Sequence, residues 1–394
     1  MNSQQRMVGL LAFVQFVNIL DFMMVMPLGP DFSTELGIAT SNLGIVGGSY
    51  TAAAAVSGLI SAFFLDRFPR KRALTVVFAG LGVATMAGAL STGLGSLLLA
   101  RIVAGAFGGP ASALALAIVA DSVPVRERGR ALGVVMGAFS VASILGVPVG
   151  LELARLGGWR APFLGVGGLA LLAVLGIHRF MHEPAKVPHP QLSSHKLLVQ
   201  LLNRDTVTAL ALAATVMFSG FLVIPNIAAF VQKNLEFPRE NLSQMYFFGG
   251  LASLVSIQIA GRVTDRLGSM LTTLIGTGLV VITLIFGFAD HAAAFTPVVI
   301  AVLFMTGTSI RAISFNTLVS RVPPPNQRGA FMSLQSTVQH LGSASGAFIS
   351  SQLLVSDSIG RLIGIETVAV IAIIASLLVP ILVRILERRL PTRA

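Results

Sequence analysis

Apolar stretches of about twenty residues recur along the whole chain, separated by short segments rich in arginine, glycine and proline. At 1.5 Å per residue, a helix of that length crosses a hydrocarbon core of roughly 30 Å. The pattern predicts twelve spans, at 7–28, 43–65, 73–92, 97–119, 131–154, 160–180, 206–231, 243–264, 270–289, 297–318, 331–354 and 365–386. Helices are the expected form, because a bilayer offers backbone amides no partner outside a helix or a closed barrel, and barrel strands would alternate in polarity. The first run follows Arg6 as a secretory leader would. Asp21 inside it, and the lack of a small-residue cleavage pattern, predict a retained helix instead.

Composition agrees. Of 394 residues 54% are hydrophobic and 11% charged, where an average soluble protein carries about 25% charge. A net charge of +11 would suggest nucleic acid in a soluble chain, but the placement of the 27 basic residues gives another reason for it. Twenty fall in segments on one side of the predicted spans, among them Arg6, Arg70, Arg128, Arg204, Arg266, Arg328 and Arg389. Five fall on the other side, and only Arg101 and Arg311 lie within spans. This asymmetry predicts both termini in the cytoplasm, with the bacterial inner membrane as the expected location, and removes the need for a nucleic-acid partner. The chain has no cysteine, so disulfides, thiolate metal sites and thiol catalysis are excluded.

Three landmarks repeat at nearly constant offset. Pro27 matches Pro225 at 198 residues, Asp66-Arg67 matches Asp265-Arg266 at 199, and Arg128-Gly129 matches Arg328-Gly329 at 200. Half the chain is 197 residues. The expected architecture is an all-α membrane protein of twelve transmembrane helices, in two six-helix halves related by pseudo-two-fold symmetry. Residues 1–181 form one bundle, 182–205 a polar cytoplasmic linker, and 206–394 the second bundle.

The repeated segments resemble those of a known family. "AFFLDRFPRKRAL" (62–74) and "GRVTDRLGS" (261–269) are similar to the two copies of the cytoplasmic loop motif of the major facilitator superfamily. "LLLARIVAGAFGG" (97–109) resembles its fourth-helix motif, and "RERGRALG" (126–133) with "GVPVG" (146–150) the following loop and fifth helix. Asp21, Pro27 and Pro30 look like the first-helix signature of twelve-span drug/proton antiporters. Two departures stand out: Ala62 and Pro69 replace loop glycines, and Val147 separates the glycine and proline of the fifth helix, a variant closer to sugar-efflux members.

Among 16 acidic residues only Asp21 falls deep within a span. A charge at the centre of a membrane helix costs about 2.5–3.5 kcal/mol on the insertion scale, so it persists where it faces a cavity or a partner. Arg101 is the expected partner, lying about 6 Å below the outer end of its helix where Asp21 lies about 10 Å below its own. The resemblance implies that both face a central cavity and that Arg101 takes part in proton coupling. Two plainer readings stand beside it: an aspartate tying its helix to a neighbour through Asn18 or Gln15, and an arginine snorkelling to the interface. The counterpart of Asp21 in the second half is Ser219, so proton coupling belongs to the first half.

Arg311 either binds an anionic substrate or snorkels. Asn18, Asn226, Gln258, Asn316, Gln335 and Gln339, with Phe218 and Phe247, complete the substrate-binding candidates, a mixture that suits an amphipathic ligand. Asp66, Arg67, Arg70, Asp265 and Arg266 are candidates for a conformational latch. By resemblance, Asp66 faces the start of the eleventh helix near Ala330. Pro27, Gly146, Pro148 and Gly150 are expected to bend their helices. No nucleophile–base constellation, nucleotide-binding loop, cofactor motif or regular metal-ligand spacing is visible, which argues against an enzyme. The expected function is proton-coupled export of small amphipathic compounds through the lipid bilayer by alternating access, for which a monomer suffices. The alternatives are a facilitator or proton symporter of a sugar or organic anion, and a transporter-like sensor that moves nothing.

Overall fold

The computed structural model describes residues 3–64, 68–181, 203–290, 295–323 and 328–390. Helix α1 (Ser3–Met24) stops short of Pro27, which has no amide hydrogen and whose ring would collide with the carbonyl four residues back. The chain turns through Val25–Leu28 and re-enters α2 (Gly29–Leu36), which ends on Gly37 in the left-handed region at φ 64°. Asp31 and Glu35, expected in a loop, are therefore helical. Then follow α3 (Leu43–Phe64), α4 (Arg70–Gly88), α5 (Leu94–Ser122) and α6 (Val125–Val141). A single π turn at Ala142–Gly146 leads into α7 (Val147–Gly157), and α8 (Arg160–Phe180) closes the first half.

That π turn has an identifiable cause. Pro148 cannot donate to the carbonyl four residues behind it, and the helix absorbs the missing bond one residue earlier, with the Val147 amide donating to the Ala142 carbonyl. The π turn ends at Gly146, at the start of the segment where Gly146, Pro148 and Gly150 are expected to bend the helix. Gly146 lies against Leu20 of α1, where an added Cβ would come within 2.8 Å of the leucine methyl.

The second half repeats the break. Helix α9 (Arg204–Phe221) is capped by Asn203, whose side chain accepts from the Thr206 amide at 2.8 Å. It gives way near Pro225 to a 3-10 turn, the short α10 (Ile227–Ala229) and a π turn at Phe230–Asn234. Helix α11 (Leu242–Thr283) is one long rod except at Gly268, where φ 86° and ψ 165° turn the chain. Beyond it lie α12 (Pro297–Val319), α13 (Arg328–Leu353) and α14 (Ile365–Arg389). Between the last two helices sits a two-stranded antiparallel hairpin, β1 (Val355–Ser356) and β2 (Leu362–Ile363), a small exception to the all-helical expectation.

Nine stretches among the described residues are long and apolar enough to cross a membrane. One of them, Arg239–Ala289, is divided by the turn at Gly268 and supplies two spans. The more polar α4 and α13 supply two more, which completes the twelve. Spans six and ten begin where the hydropathy pattern places them, while the third span, α4, ends at Gly88 rather than 92 and the fifth, α6, starts at Val125 rather than 131.

The chain forms two compact units, Met1–Ile38 with Ser49–Gln191, and Ala39–Gly48 with Leu192–Ala394. In the first, α4 packs against α5 and α8, and α1 against α6 and α8. Phe32, Trp159 and Phe163 form an aromatic cluster there, the first two edge to face at 5.5 Å. In the second, α11 packs along α12, and α9 against α13 and α14, around a core that includes Ala213, Val216, Phe315, Phe331 and Val383. The ten residues Ala39–Gly48 join this unit through glycines: a Cβ on Gly44 would collide with the Ala347 carbonyl, and one on Gly48 would lie 3.2 Å from the Ala347 methyl. Lipid is as apolar as leucine, so such close approach, not the hydrophobic effect, holds membrane helices together.

The conformation at Gly268 belongs to a region of backbone space that only glycine populates readily. Gly268→Ala is expected to cost about 1–3 kcal/mol, read as a lowered midpoint of thermal unfolding in detergent. Gly261→Ala, in open space one helical stretch earlier, is expected to be neutral or to gain up to about 1 kcal/mol. Equal effects at the two positions would mean that the turn does not divide the rod.

Candidate functional site

Among the described residues, the charged side chains buried from all contact with solvent are Asp21, Arg101 and Arg311. The first two meet. The Arg101 Nη1 donates to Asp21 Oδ1 at 3.1 Å and Oδ2 at 3.2 Å, while Nη2 donates to the Asp21 backbone carbonyl at 3.3 Å. Thr85 of α4 donates its hydroxyl to Asp21 Oδ1 at 2.7 Å. The guanidinium lies over the Tyr50 ring at 4.6 Å, and that ring also stacks, tilted, against Phe22 at 5.4 Å. Arg101 Nε has no partner among the described residues.

The pair exists because four helices of the first unit come close enough to supply it. Glycines 105, 108 and 109 of α5 set the approach of α3: a Cβ on each would collide with the Tyr50 carbonyl, the Tyr50 hydroxyl and the Ala54 carbonyl respectively. The glycine motif of the fourth span is thus a packing surface that draws Tyr50 under Arg101. From Tyr50 the polar contacts run on: its hydroxyl donates to Asn18 Oδ1 at 3.2 Å, and Asn18 Nδ2 donates to Ser112 at 2.8 Å and to the Gly108 carbonyl at 3.2 Å. Gln15 also donates to Ser112, at 3.1 Å. Asn18 and Gln15 do not tie down Asp21. They tie α1 to α5 one and two turns away from it.

Of these groups Asp21 is the one whose charge can change by gaining a proton, since a guanidinium cannot be deprotonated in a protein. Proton binding at Asp21 would leave Arg101 with the Tyr50 face and a backbone carbonyl. A neutralised carboxyl and a freed cation at one place are the elements of a switch between proton and ligand.

Arg311, in the second unit, is buried against α9 and α14 rather than extended to an interface. Its Nη1 donates to Ser376 at 3.2 Å and its Nη2 to the Val216 carbonyl at 3.4 Å. Among the described residues no carboxylate pairs with it, and its Nε has no partner. Ser219, the counterpart of Asp21, donates at 3.0 Å to the same Val216 carbonyl. Asn226 is buried and donates to Ser350 at 2.7 Å. Gln335 and Asn316 meet each other at 3.3 Å, Phe218 and Gln339 are half-buried, and Gln258 and Phe247 are exposed, the last edge-on to Phe248. These candidates are not gathered as Asp21 and Arg101 are.

Asp66 and Arg67 lie outside the described residues. Arg70 pairs with Asp121 at the end of α5, 3.2 Å apart, and Asp265 and Arg266 are exposed just before the Gly268 turn. Sequence reasoning missed Tyr50, Thr85 and Ser112. Tyr50 carried a signal, as one of two tyrosines in the chain set in a run of small residues. Thr85 carried none that separates it from the other hydroxyls used in helix contacts.

Fold and site together define a polytopic helical membrane protein with a buried ion pair. The sequence profile of the Major Facilitator Superfamily matches residues 11–347, and the chain belongs to that family. It is 25% identical over 340 residues to a chloramphenicol resistance protein of Streptomyces lividans, covering 84% of each chain. It is 26% identical over 374 residues to the purine ribonucleoside efflux pump NepI of Salmonella enteritidis, covering 93% of this chain and 90% of that one. Its fold matches a D-xylose-proton symporter with a TM-score of 0.77 at 16% identity, over 96% and 97% of the two chains.

Removing one member of a buried pair strands the other, at about 3–5 kcal/mol. The two members differ, because Asp21 can neutralise itself with a proton and Arg101 cannot. Asp21→Ala is therefore expected to lower the thermal unfolding midpoint more than Arg101→Ala, with the double variant less destabilised than the sum of the two. Additive effects in this cycle would show that the two side chains do not interact in the folded protein.

Proposed function

We propose that this protein is a proton-coupled exporter of small amphipathic compounds, working by alternating access with both termini in the cytoplasm. The observation that carries the reading is the buried Asp21–Arg101 pair, held by Thr85 and Tyr50 with no exposure to solvent. Intramembrane acids are functional by default, because their cost is otherwise uncompensated. The efflux role in the name of the Salmonella relative supports the direction. In the cycle, a proton reaching Asp21 from outside releases Arg101 and exchanges for release of substrate. Asp66, Arg70 and Asp265 act on the conformational change from the inner ends of the helices, and one chain forms the working unit.

A second reading has its own observation. Arg311 is a buried cation with no described carboxylate beside it, as a facilitator or symporter of an organic anion would require. In that case Arg101 and Arg311 matter more than Asp21.

The test is ligand-induced proton release by purified protein, across lipophilic cations, nucleosides, sugars and organic anions. Wild type is expected to release or take up protons with at least one amphipathic ligand, and Asp21→Asn to lose that signal while still binding and folding. Binding without any proton signal in the wild type would overturn coupling at Asp21 and favour the second reading.

A further inference from the structure

At the C-terminal end of α14, Arg384 and Arg388 are both exposed and stand one turn apart on one helix face. They close a groove of about 230 Å³ whose other lining residues are Met270, just after the Gly268 turn of α11, and Pro380, Ile381 and Ile385 of α14. Among the described residues the wall is apolar and the two guanidinium groups are its only charges. Neither is drawn into an ion pair among the described residues. The adjacent Arg389 is engaged by Asp205 at 3.7 Å, and Glu387 turns its carboxylate toward Gly268 instead.

The groove continues as an exposed apolar strip along α14. Ile374, Leu377, Leu378 and Ile381 are 57%, 52%, 47% and 54% exposed. Their spacing at three and four residues keeps them on one face, and the strip from Ile374 to Ile385 is roughly 16 Å long at 1.5 Å per residue. The strip lies on a membrane span, so what covers it is a hydrocarbon chain. The paired arginines at its end sit where a headgroup would lie, and guanidinium groups match phosphate oxygens in geometry as well as in charge.

We propose that this groove binds one anionic phospholipid, an acyl chain lying along Ile374–Ile385 and the phosphate held between Arg384 and Arg388. This differs from arginines that merely snorkel to the interface, which would attract anionic lipid without holding one molecule's acyl chain in a groove. Basic residues at a membrane surface each favour anionic lipid by about fivefold, so two give a preference of about thirtyfold. The site is independent of the Asp21 reading and is tested without transport.

The test is native mass spectrometry of the purified full-length protein, titrated with phosphatidylglycerol and phosphatidylcholine of matched acyl chains. Wild type is expected to retain phosphatidylglycerol about thirtyfold more strongly. Arg384→Gln with Arg388→Gln is expected to erase the preference, and Arg72→Gln, exposed in the other unit, to leave it unchanged. Ile381→Trp, which fills the groove with both arginines intact, is expected to release the bound lipid, and glycerol phosphate without acyl chains to fail to displace it. Equal retention of the two lipids by wild type, an unchanged preference in the double variant, or displacement by glycerol phosphate alone would overturn the proposal.

Discussion

A guanidinium within a hydrocarbon slab cannot shed its charge, and the first half of this protein is arranged around keeping Arg101 compensated. The compensation needs Asp21 within hydrogen-bond reach, which requires α1 and α5 to face each other at the same depth. It needs the Tyr50 ring beneath the guanidinium, which requires α3 to approach α5 more closely than any side chain on Gly105 or Gly108 would permit. The glycines therefore serve the electrostatics at one remove: packing distance is set by absent side chains, and packing distance decides whether the charge is paired.

The two halves share a plan and differ in charge. Each breaks its first helix at a proline, Pro27 and Pro225, because neither can continue the hydrogen-bond ladder. Where the first half places Asp21, the second places Ser219, and where the first half has the Ser112 contact to Asn18, the second has Arg311 reaching the Val216 carbonyl. The backbone arrangement is retained while the balance of charge is not. The first half buries a compensated pair, and the second buries a lone cation satisfied by a hydroxyl and a carbonyl. The two halves thus bury their charges by different means.

Much of this was legible in the sequence, for definite reasons. Spans are written by uninterrupted hydropathy, and Asp21 with Arg101 stood out because so few charges enter the spans. Helix ends were less legible where a polar stretch stays helical, as in α2 and the start of α6. The turn at Gly268 follows the repeated Asp-Arg landmark, so the rod of α11 divides where the loop motif places it. The π turn at Ala142–Gly146 was visible only as a bend at Pro148, since the sequence says that a bond is missing but not which carbonyl is left. Thr85 and Ser112 could not be picked out, because a hydroxyl that holds a carboxylate and one that only packs have the same local pattern.

The surroundings of Arg101 also bear on how a switch could work without unfolding the bundle. Losing its carboxylate would ordinarily cost a buried cation about 3–5 kcal/mol. Here Arg101 would keep the Tyr50 face, worth about 2 kcal/mol when desolvated, and a charge-assisted bond to the Asp21 carbonyl, worth about 1.5–3 kcal/mol. Both contacts are already made while the carboxylate is paired, so they hold Arg101 in place without offsetting the loss. Under the proposed coupling, the compensation that Asp21 gives up has to come from a second interaction, and the Arg101 Nε, which has no partner among the described residues, is the donor open to one.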